Sequence, residues 1–225
     1  MSTASGIARE SQRDSVDFAI KDTINATIND LIESLPDPTQ LNSDERRGII
    51  ARYSSVLEGN FIYWMTATLI SVNSEEARPI IMENLHEEVR DSHPAMLRRF
   101  AKAAHAVPTE ADSCAVDENL EKVRLFLGRL SGVQSLATMA FFEGFIQKFM
   151  GYLMDLAVAQ GSADTEYTDV HGVCDIEHTE GLFRALSAEM AAKPLDPDKG
   201  LFEGVNLLRT LIENIVFNRV GIVSA

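Results

Sequence analysis

Apolar positions recur at helical spacing through most of the chain. Between 15 and 35, "SVDFAIKDTINATINDLIESL" places Val16, Ile20, Ile24, Ile28 and Leu31 or Ile32 on one stripe. Two prolines in "PDPTQLNSDE" end it, and Ser43 is the expected N-cap of the next helix, followed by Glu45 and Arg46. A long helical stretch is expected from about 44 to 72, and another from near Ser74. At Asp91-Ser92-His93-Pro94 a break or kink is expected, because the residue before a proline avoids helical angles. "AMLRRFAKAAHAV" resumes the helix, and "PTEADSCAVD" reads as a loop. Helical pattern returns at about 117–130, 132–160 and 165–192; "KPLDPDKG" interrupts it before a last helix at about 199–219. No segment alternates with period 2 between hairpin turns, and there is no internal repeat. The pattern predicts an all-α, single-domain bundle of about seven helices. Residues 1–13, rich in Ser and charge, are expected to be disordered, and 14–225 to form the helical domain.

Composition narrows the function classes. A chain of 225 residues, 45% apolar, can bury a sizeable core. A net charge of −14 opposes phosphate backbones and anionic lipid, so neither nucleic acid nor a membrane surface is an expected partner. No apolar run approaches the roughly 18–20 residues of a membrane span. Two cysteines, Cys114 and Cys174, give no disulfide framework and no zinc-knuckle spacing. The N-terminus lacks the apolar core of a secretory signal, and a cytoplasmic location is expected.

The candidate chemistry lies in "TDVHGVCDIEH", residues 168–178. On a helix, His171, Asp175 and His178 stand at i, i+4 and i+7 and share a face. Two imidazoles and a carboxylate are ligand types for iron or zinc. An exposed polar face is the competing reading, weakened by the scarcity of histidine, five in the chain. Further ligands must come from facing helices. "TMAFFEGFIQKFM" sets Glu143 among Phe141, Phe142, Phe145 and Ile146, where a carboxylate is costly to bury without a compensating charge. "ENLHEEVRDSHPAMLRRF" offers Glu83, His86, Glu87, Glu88 and His93. Glu88 shares a stripe with Ile81 and Leu85 and points most nearly inward; Glu83-x-x-His86, with ferritin-like spacing, is the weaker alternative.

In order and rough spacing, "ENLHEEV…HPAMLRRFAKA", "FFEGF" and "DVHGVCDIEHTEGL" resemble the heme-oxygenase-like diiron oxidases and oxygenases. Their superfamily also holds the thiaminase-like TenA proteins, PqqC and the Chlamydia protein associating with death domains. The resemblance covers about 83–183 and implies a seven-helix bundle around a non-heme diiron site. It implies Glu88, His93, Glu143, His171, Asp175 and His178 as ligands of two Fe2+ ions, with O2 as co-substrate. It also implies oxidation of a small amine, amino acid or fatty acid, by N-oxygenation or by desaturation or C–C cleavage. An external electron donor and a homodimer belong to the same expectation. TenA and PqqC lack this ligand set, which disfavours their chemistries. Only "VRDS" separates Glu88 from His93, shorter than in many relatives, so Glu87 and Glu83 stay open as replacements for Glu88. Glu58 stays open as an extra ligand. Arg90, Arg98, Arg99 and Lys148 could grip a substrate carboxylate, although surface roles are expected for each. The alternatives are a non-enzymatic interaction or ligand-binding protein with a degenerate metal site, and a ferritin-like store built on Glu83, His86 and Glu143. Neither needs the set His171, Asp175 and His178.

Overall fold

A computed structural model describes the backbone of residues 3–196 and 198–217, and their side chains except those of 3–15 and 173–175. Among the described residues there are nine α-helices and no strand: α1 (Thr3–Glu33), α2 (Ser43–Leu57), α3 (Asn60–Ser71), α4 (Ala77–Arg90), α5 (His93–Ala103), α6 (Glu110–Leu127), α7 (Gly132–Ala159), α8 (Glu166–Ala192) and α9 (Glu203–Phe217). The all-α expectation holds, and the count of seven is corrected to nine.

Local chemistry explains the difference. The stretch expected as one helix over 44–72 divides at Gly59, whose φ of +80° is left-handed and ends α2. A second division falls at Ser92, also left-handed with φ 58°, between α4 and α5. The segment expected as a loop, "PTEADSCAVD", instead opens α6 at Glu110. Thr109 and Asp112 form a reciprocal cap there, and Asp112 is also held by Arg47 at 2.7 Å. At the start of α2 the cap is Asn42 rather than Ser43, in a capping box with Glu45.

The bundle is built around α7. From Gly132 to Ile146 this helix is buried on every side, as an all-round apolar helix must be. It packs along α8 and is covered by α1, α2, α3 and α9. Trp64 of α3 stands edge-on to Phe142 of α7 with ring centroids 5.1 Å apart, and Tyr53 of α2 packs on Phe149 at 5.6 Å. Helices α4 and α5 lean against α8 and bring their ligand-type residues to its inner face. No helix among the described residues is long and apolar enough to cross a membrane.

Candidate metal centre

Helix α4 buries Ile81, Asn84 and Glu88, which recur at helical spacing along one side. The helix ends at Arg90, the chain turns at Ser92, and α5 opens with His93 facing back toward Glu88. Glu88 Oε1 lies 2.7 Å from His93 Nδ1. From α8, His171 Nε2 comes within 3.8 Å of the same oxygen. The rings of His93 and His171 meet edge to face, with centroids 4.5 Å apart. One ligand atom from each of Glu88, His93 and His171 lies within 4.8 Å of the others, and the three residues are 5%, 4% and 5% exposed.

Burial pushes the Glu88 carboxyl up, yet the imidazoles of His171 and His93 outweigh it and hold its pKa at about 2. For His93, burial pulls the pKa down, but the Glu88 carboxylate, helped by Asp91 and Glu87, leaves it raised. The pair therefore holds an ionised carboxylate against a proton on imidazole. His171 is set differently. Its Nδ1 lies 2.8 Å from the Tyr167 carbonyl, one turn earlier on α8. A carbonyl only accepts, so Nδ1 donates, and in the neutral tautomer this selects, Nε2 carries the lone pair. Nε2 lies 3.8 Å from Glu88 Oε1, too far for a direct hydrogen bond, and positive charge at that nitrogen favours the ionised carboxylate. A cation between the two satisfies both. Two imidazoles and a carboxylate, one imidazole oriented by a backbone carbonyl, fit a non-heme iron ion.

Beside this group lies a cavity of about 20 Å³, walled by Leu57, Phe61, Leu97, Ile146 and Tyr167 and by the carboxylate of Glu143. It offers room for about one water or ion and no more. Glu143 is 2% exposed, so the expectation that it turns inward from α7 is met. The Tyr167 hydroxyl lies 2.9 Å from that of Tyr53.

Of the six residues implied as ligands, Glu88, His93 and His171 come together, and Glu143 lines the same cavity. His178, also buried, meets Glu87 instead, Nε2 to Oε2 at 2.8 Å. Seven residues separate it from His171, a rise of about 10 Å along the same face of α8. The side chain of Asp175 lies outside the described residues. Glu83 and His86 are exposed, so the ferritin-like set is not assembled. Glu58 is exposed and paired with Arg98 at 2.9 Å. Arg90 pairs with Asp91, Arg99 with Glu166, and Lys148 with Asn29, all at the surface. Sequence reasoning missed the orienting carbonyl of Tyr167 and the pairing of Glu87 with His178. The first was legible as an i, i+4 spacing; the second depends on how α4 meets α8.

Residues 51–206 match a family model described as an iron-containing redox enzyme. The match spans more than half of the chain and includes every residue of the buried cluster. A search of curated proteins gave no match.

Proposed function

Because the chain belongs to the iron-containing redox enzyme family, we propose that it is an O2-dependent oxidoreductase whose iron is held by Glu88, His93 and His171. The observation that carries this reading is the convergence of those three buried ligand atoms within 4.8 Å. A second iron would draw on Glu143, His178 and Asp175, with Glu87 beside His178. Ferrous iron, when bound, supplies electrons to dioxygen and so the oxidising power for N-oxygenation, desaturation or C–C cleavage. The substrates of this reading are small amines, amino acids and fatty acids, and an external donor returns the electrons.

The chain's own residues supply the setting. The Tyr167 carbonyl fixes the His171 ring, so Nε2 needs no reorientation to bind. Glu88 holds a proton on His93 until a metal displaces it. Leu57, Phe61, Leu97 and Ile146 give the cavity beside the cluster an apolar wall. A cavity of about 20 Å³ admits no organic substrate without movement of this wall.

The test is to load the protein anaerobically with Fe(II), mix it with O2 in a stopped-flow instrument, and repeat with a panel of amines, amino acids and fatty acids. The expected result is O2 consumption coupled to iron oxidation and accelerated by one substrate class, with the matching oxidised product. Iron that binds but reduces no O2 in any mixture contradicts the proposal.

A further inference from the structure

A second concavity lies away from the iron cluster, between the start of α2, the start of α6 and the end of α9. Its volume is about 610 Å³, within the roughly 300–1,000 Å³ range of small-molecule pockets, and it shares no lining residue with the cavity at Glu88. Its walls are largely apolar, with Leu41, Ile49, Val216 and Phe217 among them. In this wall sits a charge. Arg52 is 5% exposed, and its Nε donates to the Ile215 carbonyl at 2.7 Å. That bond ties α2 to the Ile215 carbonyl of α9, a structural role that uses one of the five guanidinium N–H groups. The two Nη groups have no acceptor among the described residues, and Arg52 forms no ion pair there. Nη1 lies 2.8 Å from the place a Cβ on Gly48 would occupy, and Gly48 lines the same pocket. The absence of a side chain at Gly48 is what lets the guanidinium lie there.

The neighbouring charges are already committed. Arg47 is held by Asp112, Oδ1 at 2.7 Å and Oδ2 at 2.8 Å, and Asp112 also accepts from Thr109. Glu45 closes the cap of α2, and Asp44 is exposed at the mouth. Burial pulls the Arg52 guanidinium pKa down, the Asp112 carboxylate offsets this through charge alone, without a hydrogen bond, and Arg47 opposes that offset. An anion that reaches the Nη groups recovers part of the burial cost. A guanidinium edge with two free N–H groups matches a carboxylate. The acidic residues at the mouth oppose a second negative charge on the ligand.

We infer that this pocket binds a small organic monocarboxylate, its carboxylate on the free Nη groups of Arg52 and its apolar body along Ile49, Val216 and Phe217. The site is independent of iron and of the redox reading.

The probe is octanoate, titrated calorimetrically into metal-free full-length protein, with octanol and octylamine as controls. Saturable one-to-one binding of octanoate is expected, at least tenfold tighter than either control. Arg52→Met should weaken it at least tenfold. Ala111→Trp, an exposed position at the pocket wall, should block it equally with Arg52 and the core intact. His171→Ala should leave it unchanged. Equal affinity for octanoate and octanol, binding indifferent to Arg52→Met and Ala111→Trp, or binding lost in His171→Ala would each overturn the inference. Loss of binding in Ala111→Trp with an unchanged melting temperature supports it even if Arg52→Met does not fold.

Discussion

Glu88 and His93 face each other across the break between α4 and α5, Oε1 to Nδ1 at 2.7 Å. Five residues apart on an unbroken helix they would point about 140° apart. The left-handed Ser92 turns the chain so that they meet. A β-branched residue resists that conformation, and glycine accepts it. Ser92→Ile is expected to cost about 1–2 kcal/mol in urea unfolding and to weaken Fe(II) binding, whereas Ser92→Gly should keep both. Equal behaviour of the two variants would show that the turn does not set the pair.

The same pair gives the metal-free protein a pH signature. Glu88 is held at about 2 against an ordinary 4.5, so its contribution is complete above pH 4.5 and is lost as pH falls through 2. His93 is raised above 6.5, so its contribution is complete below pH 6.5 and is lost as pH rises through the raised value. The pair therefore stabilises most between pH 4.5 and 6.5. Urea unfolding at pH 5.5 should show Glu88→Gln destabilised by about 1.5–3 kcal/mol, with the difference shrinking toward pH 9.

Iron loading takes that proton away. Binding should release protons, and affinity should fall as pH drops below the raised pKa of His93. Calorimetry in buffers of different ionisation enthalpy reads the release directly. A heat independent of buffer at pH 6.5 would mean that His93 is not a ligand.

Away from the site, Glu189 is a structural carboxylate. It is 1% exposed and accepts from the backbone N–H groups of Asn73 and Ser74, both at 2.8 Å, and from Asn73 Nδ2 at 2.9 Å. Glu189→Ala leaves those donors unsatisfied and should cost about 2–4 kcal/mol by thermal or urea unfolding. Its iron content per folded chain should be unchanged.

A tight contact predicts a second stability effect. A Cβ on Gly204 of α9 would overlap the hydroxyl of Thr138 on α7 and the ring of Phe126 on α6. Thr138 is fully buried and its hydroxyl is bonded to the Gln134 carbonyl, so it has little room to yield. Gly204→Ala should destabilise by about 1–3 kcal/mol, read as a lower urea midpoint.

Helix type and the inward placing of Glu88 were legible because they follow local period. Ile81, Leu85 and Glu88 share a stripe, and Glu88 is indeed the buried carboxylate of α4 while Glu83 and His86 are exposed. The His-Pro break likewise showed in the sequence. What the period could not reveal were events that need a second element. Gly59 ends α2 through a left-handed turn within a stretch that otherwise reads as helix. Thr109 starts α6 with the help of Arg47 from α2. The stripe of His171 and His178 reads as one cluster in sequence, yet its two imidazoles meet different carboxylates of α4, Glu88 and Glu87. Arg52 reads as an ordinary helix arginine, and only the Ile215 carbonyl across the fold places it in a pocket wall.

The central claim is that Glu88, His93 and His171 hold iron, and the most direct measurement is an anaerobic Fe(II) titration of the metal-free protein beside His171→Ala and His178→Ala. The account predicts two irons per chain in the unaltered protein, one in His178→Ala, and at least tenfold weaker binding in His171→Ala, whose ligand is lost. Binding in His171→Ala that equals the unaltered protein would contradict it.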